Sequence, residues 1–292
     1  MGTIAQNLAS LVASRDNIKL ELGRMGQSPN DSLSSYGNRV RDIVTDWLCF
    51  TCVSSEGASI AFTKSANKSG TLYWTKDRAT WQTYSSAITL GYCESVWLRG
   101  SFASGMSASD TDISQFSMTG KVAASGNIMS LRQTIPSLWG SAVSSYHFAG
   151  LFKDCTGLVT APKLPAMTLE TYCYSDMFYG CTGLAVAPAL PATTLKTRCY
   201  DRMFYGCTGL TAAPVLPAPT LVSMCYSQMF YGCSSLNYIK ALFTTTPSRT
   251  NVNAWVSGVA ASGTFVKNSA AAWTTTGNNG VPTGWAVETA SV

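Results

Sequence analysis

Charge and histidine are what this chain has least of. Only 12% of its 292 residues are Asp, Glu, Lys or Arg, and His147 is the single histidine. A Cys–His or Ser–His nucleophilic site would have to use that one ring, set in "SSYHFAG", where a packing or capping role fits the residues better. The acids offer little more. Asp110 and Asp112 in "SASDTDIS" lack the further oxygen ligands and the glycine of a calcium loop, and read as a solvated loop. No glycine-rich phosphate loop follows a strand. The expectation is a non-enzymatic protein with no catalytic residue, metal or cofactor.

Further absences narrow the setting. The 20 basic and 15 acidic residues leave a formal charge of +5, scattered without a basic run, which excludes a nucleic-acid or anionic-membrane reading. No apolar stretch approaches the roughly 18 residues of a membrane span, so no insertion is expected. The opening "MGTIAQNLAS" has no basic region followed by an apolar core, and Gln6 breaks the myristoylation pattern. The expectation is synthesis in a cytoplasm without self-export.

Cysteine, by contrast, is plentiful, with 10 in the chain. Cytosolic synthesis argues for thiols rather than a disulfide framework. Cys49-x-x-Cys52 has no second pair to complete a zinc site, and strand alternation along "WLCFTC" puts the two sulfurs on opposite faces.

Most of the other cysteines belong to a repeat. "CYSDMFYGCTGL" (173–184), "CYDRMFYGCTGL" (199–210) and "CYSQMFYGCSSL" (225–236) recur every 26 residues. Phe152, Phe178, Phe204 and Phe230 keep that step, as do Cys155, Cys181, Cys207 and Cys233, and Leu158, Leu184, Leu210 and Leu236. A strict period in this range marks units that cannot cover their own apolar side and bury it by stacking, a leucine-rich solenoid. Within a unit, "SDMFYGC" reads as a short helical turn with Ser175 or Asp201 at its N-cap and Gly180 or Gly206 at its end. "TGLAVAPAL" reads as an extended segment closed by Pro188. The repeated cysteines are expected to fill a fixed buried slot; a disulfide such as Cys173 with Cys181 is the competing reading. Tyr179, Tyr205 and Tyr231, with Lys196 and Arg198 among the drifting positions, are candidate surface-recognition residues for glycan or protein. Packing of the tyrosines between neighbouring turns is the alternative.

The motif F-x-x-C-x-x-L, as in Phe178, Cys181 and Leu184, resembles the BspA-like leucine-rich repeats of surface proteins from Bacteroides-type bacteria and their phages; the match covers about residues 146–243. "NVNAWVSGVAASGTFVKN" and "WTTTGNNGVPTGW" resemble the closing segment that follows such repeats, and "TLYWTKDRATWQTY" the hairpin that precedes them.

At the front, Ile4, Leu8, Leu11, Ile18, Leu22 and Met25 follow a 4-3 spacing, with Arg15 in the one polar slot. After "GQSPND", Leu33, Tyr36, Val40, Ile43 and Trp47 continue it as a second helix. The pair either folds back as a hairpin or assembles with other copies, so Ile4, Leu8, Leu11, Arg15, Ile18 and Leu22 are candidate oligomerisation residues. "IAQNLASLVASRDNIKLEL" resembles an N-terminal module of phage tail and fibre-like proteins. Between 46 and 140, short β-branched and aromatic runs such as "ASIAFT" and "SVWLRG" predict a small antiparallel sandwich.

The expected architecture is therefore α+β and multidomain. It has N-terminal helices (1–45) as coiled coil or hairpin, a β-sandwich (46–140), a leucine-rich-repeat solenoid of period 26 (141–243) and a C-terminal cap (244–292). The resemblances imply a bacteriophage virion protein, a tail or head fibre or appendage that presents its repeats for host attachment. They further imply a homo-oligomer, trimeric by analogy, joined to other virion proteins through the N-terminal helices. A bacterial cell-surface adhesin is the alternative.

Overall fold

The structure is a computed structural model and describes residues 46–135 and 139–290. The described residues fall into two units, Asp77–Thr80 in one and the rest, from Asp46 to Ala290, in the other. Asp77 to Thr80 form a tight turn in which the Asp77 carboxylate accepts from the Ala79 and Thr80 N–H groups.

In the larger unit the front is built from two sheets. One has six strands in the order β4 (Gln82–Thr83), β3 (Leu72–Thr75), β6 (Ser95–Gly100), β1 (Leu48–Cys52), β8 (Val122–Ser125), β9 (Leu158–Thr160); the other has β5 (Ile88–Leu90), β2 (Ala58–Thr63) and β7 (Gln115–Thr119). Every pairing is antiparallel except β8 with β9. The strands form because apolar residues alternate: in "SVWLRG" Val96 and Leu98 are buried while Ser95, Trp97 and Arg99 are not fully so. The sheets meet where Phe50 of β1 lies edge-on to Phe116 of β7, ring centroids 5.2 Å apart. Phe152, from the first repeat, stacks on Phe116 at 5.5 Å, so the front core runs directly into the repeats. One apolar cluster extends from Trp47 to Trp285.

Behind β9 the chain advances in layers. Thr160, Val186, Ala212 and Tyr238 are joined in succession by single-residue parallel bridges. The ladder then widens into a parallel sheet of β10 (Tyr238–Ala241), β11 (Thr264–Asn268) and β12 (Ala286–Ala290). On the opposite side of each layer the segment 172–181 and its equivalents form a run of turns. Alternate N–H groups bond back three residues, as Met177 to the Tyr174 carbonyl and Tyr179 to Asp176. The intervening ones bond forward to the next layer: Tyr174 to Cys199, Asp176 to Asp201, Phe178 to Met203 and Gly180 to Tyr205, at 2.7–3.0 Å. Every fourth residue takes a left-handed conformation: Tyr172, Asp176 and Gly180, then Arg198, Arg202 and Gly206, then Met224, Gln228 and Gly232.

That geometry corrects the sequence-based expectation. "SDMFYGC" is not a helical turn, because a left-handed residue every four positions cannot belong to a right-handed helix. Ser175 and Asp201 are buried layer residues rather than N-caps. The α+β class does not stand either. The described residues are nearly all-β, with only a 3-10 turn (Ile128–Leu131) and one four-residue helical turn, α1 (Arg249–Val252). The sheets are not those of a leucine-rich solenoid: no strand lies between Thr160 and Tyr238, and the sheets lie at the front and the C-terminal end. The helical coiled coil has no counterpart among the described residues. Its candidate residues Ile4, Leu8, Leu11, Arg15, Ile18 and Leu22 lie outside them, while Trp47, read as the end of the second helix, forms a bridge with Asn127.

The C-terminal end is closed by large aromatics. Trp255, Trp273 and Trp285 are buried, and their indole N–H groups donate to the carbonyls of Gly280, Phe243 and Ala260 at 3.0, 3.2 and 2.8 Å. A stack needs such an ending, since its last apolar face has no further layer to cover it.

Candidate functional site

The 26-residue step turns each sequence position into a column running through the layers. Most apolar inner columns are uniform through the repeats. Phe152, Phe178, Phe204 and Phe230 are fully buried, with rings 5.5–5.8 Å apart and nearly parallel. Burying one such ring contributes about 1.5–3 kcal/mol before entropy is subtracted. Tyr174, Tyr200 and Tyr226 form a second buried column at 5.9 Å spacing.

The cysteines fill a slot with a polar function of its own. The thiols of Cys181, Cys207 and Cys233 donate to the carbonyls of Phe152, Phe178 and Phe204, each at 3.0 Å. Cys155 does the same to Phe116 at 3.1 Å. The carbonyls of Phe152, Phe178 and Phe204 already accept from the N–H groups of Cys155, Cys181 and Cys207 at 3.1 Å, so each thiol adds a second donor from the next layer. All ten cysteines are free, so the pairing of Cys173 with Cys181 is not formed; the Cys173 thiol faces the Cys199 carbonyl instead. Burial pushes Cys155, Cys173 and Cys233 up to about 12, which keeps them protonated and unreactive at neutral pH. Cys49 and Cys52 are buried in β1, and the Cys52 thiol donates to the Ser54 carbonyl at 3.4 Å.

His147 belongs to the same pattern. It occupies, in the first layer, the column that Cys173, Cys199 and Cys225 fill in the next three, and it is fully buried. Its Nδ1 lies 2.9 Å from the Ser144 hydroxyl, which makes a Ser–His pair by proximity. Burial, helped by the charges of Arg132 and Lys68, holds the ring down to about 3. So weak a base does not take a serine proton at neutral pH, and the pair supports packing rather than nucleophilic attack. Asp112 is a loop staple: its carboxylate accepts from the Ala66 and Asn67 N–H groups and from the Asn67 amide at 2.7–3.2 Å. Among the described residues no group of three or more His, Cys, Asp or Glu is placed to hold a metal.

The recognition candidates lie on the turn side of the stack, and the structure separates them. Tyr179, Tyr205 and Tyr231 form one half-buried column, rings 4.6 and 4.7 Å apart and within 7° of parallel. Their faces therefore cover one another. Lys153 sits over the far face of Tyr179 at 5.1 Å. Arg198 is in a different column, over the ring of Tyr172 at 5.4 Å and bonded to Asp201 at 3.0 Å. Lys196 is exposed beside it.

Two features escaped the sequence reading although the same step would have shown them. Tyr146 and Tyr172, 26 apart, stack at 4.6 Å. Asp176 and Arg202, also 26 apart, form an ion pair between layers at 2.8 Å. Burial raises the carboxyls of Asp176 and Asp201, opposed by the arginines.

Comparison with known protein families, with characterised proteins and with solved structures finds no match to this chain.

Proposed function

We propose that this chain is a non-enzymatic structural protein of a bacteriophage virion, a tail or head appendage that presents its stacked repeats for attachment to a bacterial surface. The F-x-x-C-x-x-L resemblance to BspA-like repeats motivates the setting. The observation that carries the display role is the contrast between columns. The buried Cys, Tyr, Met and Phe positions from Cys173 to Cys233 repeat the same residue through the three layers, while outer ones change at each step: Thr160, Val186, Ala212, Tyr238, and Lys163, Ala189, Val215. Val186 and Val215 are 64% and 46% exposed, in keeping with side chains that the stack does not dictate.

The test is binding of the labelled full chain to Bacteroides-type cells, measured by flow cytometry. Retention on a subset of strains is expected; folded protein that binds none removes the attachment role. Antibody labelling distinguishes the two settings. Signal on phage particles supports the virion reading, and signal on the envelope of uninfected cells replaces it with the cell-surface adhesin that the same repeats suggest.

A further inference from the structure

We propose that Tyr231 is the platform of a carbohydrate subsite. A pyranose ring stacks on its uncovered face, and Gln228 and Ser257 hydrogen-bond the sugar hydroxyls. The inference rests on the display reading for the source of the sugar, a bacterial surface glycan.

The argument begins with which aromatic faces are already occupied. Tyr205 is sandwiched between Tyr179 and Tyr231. Tyr179 has Tyr205 on one side and the Lys153 ammonium on the other. Tyr172 has Tyr146 and the Arg198 guanidinium. Tyr231 is different. Tyr205 covers one face, and one layer on the column passes to Ser257, whose carbonyl accepts from the Gly232 N–H at 2.7 Å. A serine is too short to cover a phenol ring. Among the described residues no ring and no cation lies over that face, so the stacked ladder ends at Tyr231.

That end is bordered by neutral polar groups. Gln228 precedes Tyr231 as Arg202 precedes Tyr205, and Arg202 is near enough for its charge to act on the Tyr205 phenol. Gln228 and Ser257 are half-buried, and neither side chain makes a hydrogen bond among the described residues. An amide and a hydroxyl offer both donors and acceptors, which suits adjacent sugar hydroxyls. The apolar C–H face of a pyranose suits the ring. A cationic ligand is the poorer fit, because no carboxylate stands in for Gln228 or Ser257 and the whole chain carries a charge of +5.

A single stacked sugar binds weakly, on the order of millimolar, and becomes measurable when displayed many times over. The test is retention of the full chain on surfaces densely coated with one hexose each: β-galactose, α-mannose, β-glucose or N-acetylglucosamine. Retention on at least one surface is expected. Tyr231→Phe keeps the ring and should retain binding within about twofold, whereas Tyr231→Ala should lose at least about tenfold. Ser257→Lys provides a control that leaves the platform in place, since it covers the open face as Lys153 covers Tyr179; it should also lose binding with an unchanged melting temperature. Folded Tyr231→Ala and Ser257→Lys that bind as wild type would overturn the subsite, as would a chain that no coated surface retains. Cell binding measured on the same variants separates the two readings. Cells that retain them equally leave the display role standing without the subsite, and hexose retention without any cell binding leaves the subsite and removes the display role.

Discussion

The two front sheets and the stacked turns behind them satisfy the same backbone in opposite ways. In the front, ladders such as β1 with β6 pair each strand with one distant in sequence, and the register follows from which face is apolar. Each buried side chain there has a neighbourhood of its own, as Phe50 does between Phe116 and Phe152. In the turns, half of the N–H groups close local turns and half reach forward one layer, so a residue's neighbours are copies of itself. A defect in the front is therefore local, whereas a defect in a middle layer strips contacts from the layers on both sides.

The largest expected effect sharpens that contrast. Phe204 is sandwiched between Phe178 at 5.5 Å and Phe230 at 5.8 Å. Phe204→Ala should cost about 3–5 kcal/mol in urea unfolding. Phe62→Ala, at a partly buried front position beside Tyr84 and Phe116, should cost clearly less. Equal losses would mean that the layers do not depend on one another as described.

The next comparison replaces an odd residue in a column. His147 is held neutral well below the usual histidine range, down to about 3, whereas the unfolded ring titrates near 6.5. The unfolded state thus binds a proton that the fold refuses. Stability is fully present above about pH 6.5 and falls by about 1.4 kcal/mol per pH unit between there and pH 3. His147→Cys installs the residue used by the next three layers and should flatten that slope in denaturation curves taken from pH 7 to 4. A slope that persists would place the acid sensitivity elsewhere. Asp176 and Asp201 act in the other sense: their raised carboxyls favour the protonated form, so their contribution is lost as pH rises through the folded value.

Two glycines compare the regions at smaller scale. Gly126 in the front and Gly206 in the stack are both left-handed, at φ +73° and +68°. A Cβ on Gly206 would find its nearest neighbour, the Gly180 Cα, at 4.0 Å, whereas on Gly126 it would strike the Trp47 carbonyl. Gly206→Ala should cost only the conformational strain, about 1 kcal/mol, and Gly126→Ala substantially more. Similar losses would show that the close approach at Trp47 relaxes freely.

How far the sequence could be read depended on what each part repeats. The period placed Thr160, Val186, Ala212 and Tyr238 side by side, because a column is a spacing and spacing is visible. The alternation in "SVWLRG" likewise showed which residues face inward. The turns were misread because "SDMFYGC" contains helix-compatible residues, while its conformation is set by forward hydrogen bonds that exist only between layers. Asp176, Arg202 and Gln228 show the cost of local reasoning, since all three are left-handed without being glycine. The open face of Tyr231 was equally hidden: the repeat showed three like tyrosines, and only the stacking distinguishes the last from the other two.

The smallest perturbation is a count. Nine of the ten cysteines are buried, and Cys93, at a left-handed turn position, is exposed. The stacked thiols are doubly protected, by exclusion of the reagent and by burial that raises Cys155, Cys173 and Cys233 to about 12 and Cys225 to about 11. An aromatic disulfide reagent at pH 8 should therefore label one thiol per chain quickly, and Cys93→Ser should abolish that fast phase. The remaining nine should react only as the chain unfolds, those of the stack together if the layers open as one cooperative unit. If instead Cys233 reacts ahead of Cys181 in native buffer, the stack frays from its C-terminal end, and the aromatic closure by Trp255, Trp273 and Trp285 is weaker than its burial implies.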